Sequence, residues 1–241
     1  MCTVSIVPEA DGFRLLCNRD ERRSRATALP PQRHQLATGV ALYPVDPVGG
    51  GTWVGVNDAG LAVTLLNRTL PGGAPPSARL LSRGRTVTRL LACRTTEAAI
   101  DAGLEIDLAT FNPFRVTIVS RGSAATLSSD GRVPSVESID LSRPFMQTSS
   151  SLGDDMVAAP RTGLFDRLVV APHRAGDGGA VLAGQTRFHA HHWRDRGLVS
   201  VVMSRVDACT VSRTTIRVSG GRIEMYYDPL DGSAVSNQRL A

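Results

Sequence analysis

The chain has 241 residues, 42% of them hydrophobic and 20% charged, with a formal net charge of +5. It contains arginine but no lysine, which excludes a Schiff-base lysine, a lysine-tethered pyridoxal phosphate and a P-loop lysine. No run approaches the ~20 apolar residues of a membrane span, no signal-type segment opens the chain, and the scattered arginines carry no nucleic-acid signature, which predicts one cytoplasmic domain over residues 1–241.

Cys2 stands directly behind the initiator methionine, and methionine ahead of a small residue is normally removed in maturation. The mature chain then opens on a thiol and a free α-amine, whose pKa of roughly 7.7–8.0 suits general-base work. A nucleophile activated by its own terminal amine is a known route to covalent catalysis. Residues 3–7 and 13–17 are apolar, β-branched runs joined by a turn-rich linker, which predicts a hairpin. With Val7 opposite Phe13, give or take a register slip, Cys2 lies across from Asn18, about 4.5–5.5 Å away between Cα atoms. Arg19 and Asp20 follow just beyond.

Residues 22–35 are polar and contain Pro30-Pro31, which predicts a loop skirting the site. Arg19, Arg22, Arg23 and Arg25 cluster here and read as a solvated loop, with an anion site as the alternative. Residues 40–44 predict a short strand. Three glycines, 49–51, lead into strands at 52–57 and 61–67 around the turn Asn57-Asp58-Ala59-Gly60. Because a strand and not a helix follows the glycines, they mark close backbone approach rather than a phosphate cradle. Pairing across that turn returns Asn67 to the glycines, where it reads as a strand-end cap or a pocket residue.

A Pro/Gly loop at 70–76 precedes a helix predicted from an N-cap at Ser77 to Leu91, with Gly84 weakening its middle. A second helix at 96–104 joins it in one outer layer. Residues 114–120, 124–128 and 133–139 predict a β-meander, and 160–171 a helix, with another starting near 180. His189, His191 and His192 form the one histidine cluster. On a strand, His189 and His191 would share a face and could hold a metal, but no carboxylate or cysteine lies at ligand spacing, so no metal site is predicted. Residues 198–203, 209–218 and 222–227 predict strands, the last two joined by Ser219-Gly220-Gly221. Arg213 would sit on an alternating strand, either outward-facing or at a site. Cys17, Cys93 and Cys209 read as small buried hydrophobes, and a disulfide between Cys17 and Cys2 is not expected in a reducing cytosol.

Cys2 with Asn18-Arg19-Asp20-Glu21, Gly50-Gly51-Thr52-Trp53-Val54-Gly55 and Ser212-Arg213-Thr214 resembles the NRDE, or transport and Golgi organization protein 2, family. The resemblance implies an N-terminal-nucleophile-hydrolase-like fold, similar to bile-salt hydrolases and penicillin acylases: α+β, a four-layer αββα sandwich of two antiparallel sheets. It implies that Asn67 helps form an oxyanion hole and that Arg213 supports the nucleophile and its aspartate. Many members carry Leu-Ser-Asn where this chain has Ser149-Ser150, which changes a substrate-binding amide to a hydroxyl at Ser150.

The expected chemistry is hydrolysis or transfer at an amide, thioester or similar acyl bond of a small molecule. Cys2 is the nucleophile, Asp20 orients its amine, Arg19 or Arg213 lowers the thiol, and Asn67 stabilises the oxyanion. No cofactor is called for. The alternative is a non-enzymatic carrier of haem or lipid, to which family members are linked, with His189, His191 and His192 as candidate haem ligands or an apolar groove alone binding the haem.

Overall fold

The structure, a computed structural model, describes residues 2–70, 72, 77 and 80–240; Met1 and most of the predicted 70–76 loop lie outside them. The first strands are β1 (Cys2–Glu9), β2 (Gly12–Arg22), β3 (Leu29–Leu36), β4 (Gly39–Val45), β5 (Val54–Asn57) and β6 (Ala62–Asn67). Helices α1 (Gly84–Leu90) and α2 (Thr96–Leu104) follow, then β7 (Phe114–Ser120), β8 (Ser123–Ser129), β9 (Pro134–Ser138) and β10 (Phe145–Thr148). Helices α3 (Asp154–Phe165), α4 (Ala171–Arg174) and α5 (Gly178–His189) lead to β11 (Ala208–Ser219), β12 (Arg222–Pro229) and β13 (Ser236–Leu240). A π-turn over Asp166–Val170 makes α3 and α4 one bent rod.

Two antiparallel sheets result, in the orders β10-β1-β2-β11-β12-β13 and β3-β4-β5-β6-β7-β8-β9. Their facing surfaces bury Val4, Ile6, Leu15 and Ile216 against Leu42, Val56 and Leu66. A second core packs Val87, Leu90 and Ala99 of α1 and α2 onto the outer face of the seven-stranded sheet. A third packs Leu164, Phe165 and Phe188 of α3 and α5 near Val7 on the other outer face. The order is therefore helix, sheet, sheet, helix, as expected. Strands buried on both faces must be apolar or internally bonded throughout, which is why β1 and β2 show no clean polar alternation. No helix among the described residues is long and apolar enough to cross a membrane.

The first hairpin forms one residue out of the simplest register. Cys2 opposes Arg19 and not Asn18, because a two-residue turn sets Glu9 against Gly12. Gly12 has φ +145°, and a Cβ there would collide with the Val218 carbonyl, so only glycine fits. Residues 22–35 are not all loop: β3 forms the edge of its sheet, with Pro30 and Pro31 within it. An edge strand leaves one row of N–H groups unpaired and so tolerates proline and polar residues. The helix predicted from Ser77 begins only at Gly84. Gly84 and Gly51 meet backbone to backbone, with the Thr52 N–H donating to Gly84 O at 3.3 Å, and a Cβ on either would clash.

One expected strand differs, and the condition for a shared histidine face is not met. Residues 198–203 hold a 3₁₀ turn (Gly197–Val199) and irregular chain, whose carbonyls accept side-chain donors instead of a ladder. His189 is the last residue of α5, so the histidine cluster is not on a strand.

Candidate active site

Cys2 heads β1 where the two sheets open into a cavity of about 820 Å³, and it is only 6% exposed. Arg19 and Asp20 of β2 and Asn67 and Trp53 of the opposite sheet line the same cavity. Four of the five predicted site residues are thus brought together. Arg213 is not among them. It stands beside Asn18 in the β2–β11 ladder, pairs with Asp228 at 2.6 Å and shares the helix-covered side of the sheet with His189 and Arg14.

The pKa of the Cys2 thiol is lowered to about 7, first by the neighbouring Cys17 thiol, against the opposing effect of burial. Cys17 follows from the hairpin: it is two residues from Arg19 on β2 and lies on the same inner face as Cys2. Its own thiol is pushed well up by the same contact and by burial. The four cysteines are free, and Cys93 and Cys209 are half-buried rather than buried as expected.

Arg19 does not act on the thiol directly. Its guanidinium lies 4.1 Å over the Trp53 ring and reaches Asp46 at 3.3 Å and Glu21 at 3.4 Å. Arg25 joins the same carboxylates, binding Asp46 at 2.6 Å. This network ties the turn after β2 and the Asp46 turn to the cavity wall, which gives Arg19 and Arg25 of the arginine cluster a structural role.

Asp20 is 3% exposed and accepts the Thr210 hydroxyl at 2.6 Å. Burial raises its pKa, and the charge of Arg161 opposes the rise most strongly. Arg161 is 1% exposed, in the middle of α3. Its Nη1 donates to Thr3 Oγ1 at 2.7 Å and Thr148 Oγ1 at 2.6 Å, its Nε to Val199 O and its Nη2 to Ser200 O. Burial lowers its pKa, and Asp20 and Cys2 oppose that. Arg161 is the cation behind the site that sequence reasoning missed. The available signal was its place in the apolar stripe Val157, Arg161, Leu164, Phe165.

Ser149 also belongs to the site: its Oγ accepts the Cys2 N–H at 3.3 Å, and its own N–H donates to Cys2 O. Ser150 turns away, taking Thr69 Oγ1 on its carbonyl and Leu152 N–H on its hydroxyl. Asn18 is structural. Its amide donates to His189 O and Val201 O, and its Oδ1 accepts His189 Nδ1–H. That fixes the His189 tautomer, so Nε2 accepts from Ser5 Oγ at 2.7 Å and neither ring nitrogen is free for a metal. Among the described residues no group of three or more His, Cys, Asp or Glu could hold a metal ion.

Solved structures with this architecture include a mutant conjugated bile acid hydrolase from Clostridium perfringens, 10% identical with a TM-score of 0.61, covering 100% of this chain and 92% of that one. The Caenorhabditis elegans ortholog of N-acylethanolamine-hydrolyzing acid amidase is 11% identical with a TM-score of 0.57, covering 90% and 92%. Penicillin V acylase from Agrobacterium tumefaciens is 12% identical with a TM-score of 0.53, covering 98% and 84%. At such identities the likeness is one of fold, here that of the N-terminal-nucleophile hydrolases. No curated protein matches the chain. The profile described as "Transport and Golgi organisation 2" matches residues 1–157, from the Cys2 strand through the Ser149 turn, and the chain belongs to that family.

Proposed function

We propose that this chain is an N-terminal-cysteine hydrolase or acyltransferase acting on an amide, thioester or similar acyl bond. The observation that carries the reading is the Cys2 thiol, lowered to about 7 at a cavity wall beside buried Asp20 and in the field of Arg161. The structural relatives are named as an acylase, an amidase and a hydrolase, which agrees with acyl chemistry.

Removal of Met1 frees the Cys2 nitrogen, already 3.3 Å from Ser149 Oγ. Sγ then bonds to the substrate carbonyl carbon while its proton passes to the α-amine. The carbonyl electrons move onto oxygen, where the Asn67 amide donates; one good donor is worth about 3–4 kcal/mol. The amine returns the proton to the leaving group as its bond to the acyl carbon breaks. Water, or another acceptor in acyl transfer, then attacks the thioester and restores the thiol. Asp20 orients the amine through the charge it shares with Arg161. A haem or lipid carrier is the competing class; of its candidate haem ligands, His189 has both ring nitrogens engaged.

Intact-mass analysis tests the reading. Mature protein should lack Met1, and exposure to a short-chain acyl thioester should add one acyl group to Cys2 that hydroxylamine removes. A retained Met1 in active protein, or no acyl adduct with any thioester, amide or ester donor, sinks the hydrolase reading.

A further inference from the structure

Among the described residues, seven arginines but only four carboxylates line the cavity beside Cys2. Those carboxylates are committed. Glu21 and Asp46 hold Arg19 and Arg25, Asp207 lies 3.6 Å from Arg205, and Asp20 faces Thr210 and Arg161. Arg83 is left over. Its guanidinium is half-buried, makes one hydrogen bond, Nη1 to Pro113 O at 3.1 Å, and forms no ion pair with a described carboxylate. A guanidinium has five donors in a planar fork, and leaving most of them unmatched in a partly desolvated wall is costly unless a ligand completes them.

Arg83 is also held in place. Pro113 O accepts the backbone N–H of Arg68 as well, at 3.1 Å, and Arg68 follows Asn67. On its other side Arg83 precedes Gly84, which packs on the Gly51–Thr52 backbone beside Trp53. The side chain is thus fixed to the wall that carries Asn67 and Trp53. Burial lowers the Arg83 pKa, opposed first by the charge of Glu21 and then by that of Cys2, and Arg83 and Cys2 line the same cavity.

We propose that the acyl substrate carries an oxyanion, a carboxylate or a phosphate, and that Arg83 binds it with its fork. The inference rests on the acyl-transfer reading for what happens at Cys2, but the anion site stands on Arg83 alone. A planar fork pairs with either oxyanion bidentately, and a neutral isostere cannot replace it.

The test compares octanoate, octyl phosphate and the neutral octanamide by calorimetry on the full chain, native and Arg83→Gln. Circular dichroism checks the fold of the variant. Either acid should bind native protein about tenfold tighter than the amide, and Arg83→Gln should erase the difference while Arg83→Lys keeps part of it. Whichever acid binds tighter identifies carboxylate or phosphate as the group. The same acid should slow iodoacetamide labelling of Cys2 in native protein and not in Arg83→Gln. Equal affinity for acids and amide, an acid preference that survives in Arg83→Gln, or acid binding that leaves Cys2 labelling unchanged overturns the proposal. Failure of the hydrolase reading looks different: no acyl adduct forms on Cys2, yet acids still bind through Arg83.

Discussion

Asp20 and Arg161 are two buried charges from distant parts of the chain, and each makes the other tolerable. Asp20 is delivered by the second strand two positions after Asn18, so strand geometry made it legible from sequence. Arg161 was not, because a lone arginine in an apolar helix stripe names no partner; its four contacts lie on Thr3, Thr148, Val199 and Ser200. Arg213 fails for the complementary reason. The strand was read correctly, but only the bulge at Thr210/Ser212 and the sheet's two covered faces decide which side each residue meets. Replacing Asp20 with asparagine keeps the size and an acceptor for Thr210 while removing the charge. The Asp20→Asn protein should fold, as checked by circular dichroism, and lose about 10²–10⁴ of its turnover on a thioester substrate. Full turnover in a folded variant would reduce Asp20 to a packing residue.

At the scale of elements, hairpins with their own turn signals were legible: β1–β2, β5–β6 and the β7–β9 meander all form where expected. The edge strands β3 and β13 were not, since a strand with one free edge and one exposed face needs little apolar sequence. Residues 198–203 misled in the opposite direction. Val201 and Met203 are apolar because they are buried, but α5 and the Asn18–His189 pair take the place of a neighbouring strand. Gln185 Nε2 donates to Ser5 Oγ, which donates to His189 Nε2, so this helix-to-sheet junction is bonded only while the imidazole is neutral. Burial holds the His189 pKa well below its ordinary value of 6.5. The unfolded chain therefore binds a proton below about pH 6.5 that the folded chain refuses, and stability falls as pH drops through that range. Urea midpoints measured from pH 7.5 to 5 should decline, and His189→Gln should start lower and decline less. An equal slope in both proteins would assign the acid sensitivity elsewhere.

On the scale of the whole molecule, the site is the open end of the core between the sheets. Cys2 and Arg19 come from one sheet and Asn67 and Trp53 from the other, so their separation is set by the packing of Val4, Leu15, Leu42 and Leu66 behind them. That arrangement argues for one cooperative unit over the chain, because neither sheet can bury its inner face alone. Phe13 is 1% exposed at the far end of this core, opposite Pro8 and away from Cys2. Truncating it in Phe13→Ala should cost about 3–5 kcal/mol. Both proteins should unfold in urea in a single transition, with far-UV circular dichroism and tryptophan fluorescence superimposable. Trp53 reports from between the sheets and Trp193 from beside the helices over the other face, so the two probes would separate if the layers came apart independently. The Cys2 labelling rate of folded Phe13→Ala should match the native rate, since the lost contacts lie at the other end of the core. Two resolved transitions would split the chain into separately stable layers, and a changed labelling rate would mean that the geometry at Cys2 depends on the whole length of the inter-sheet core.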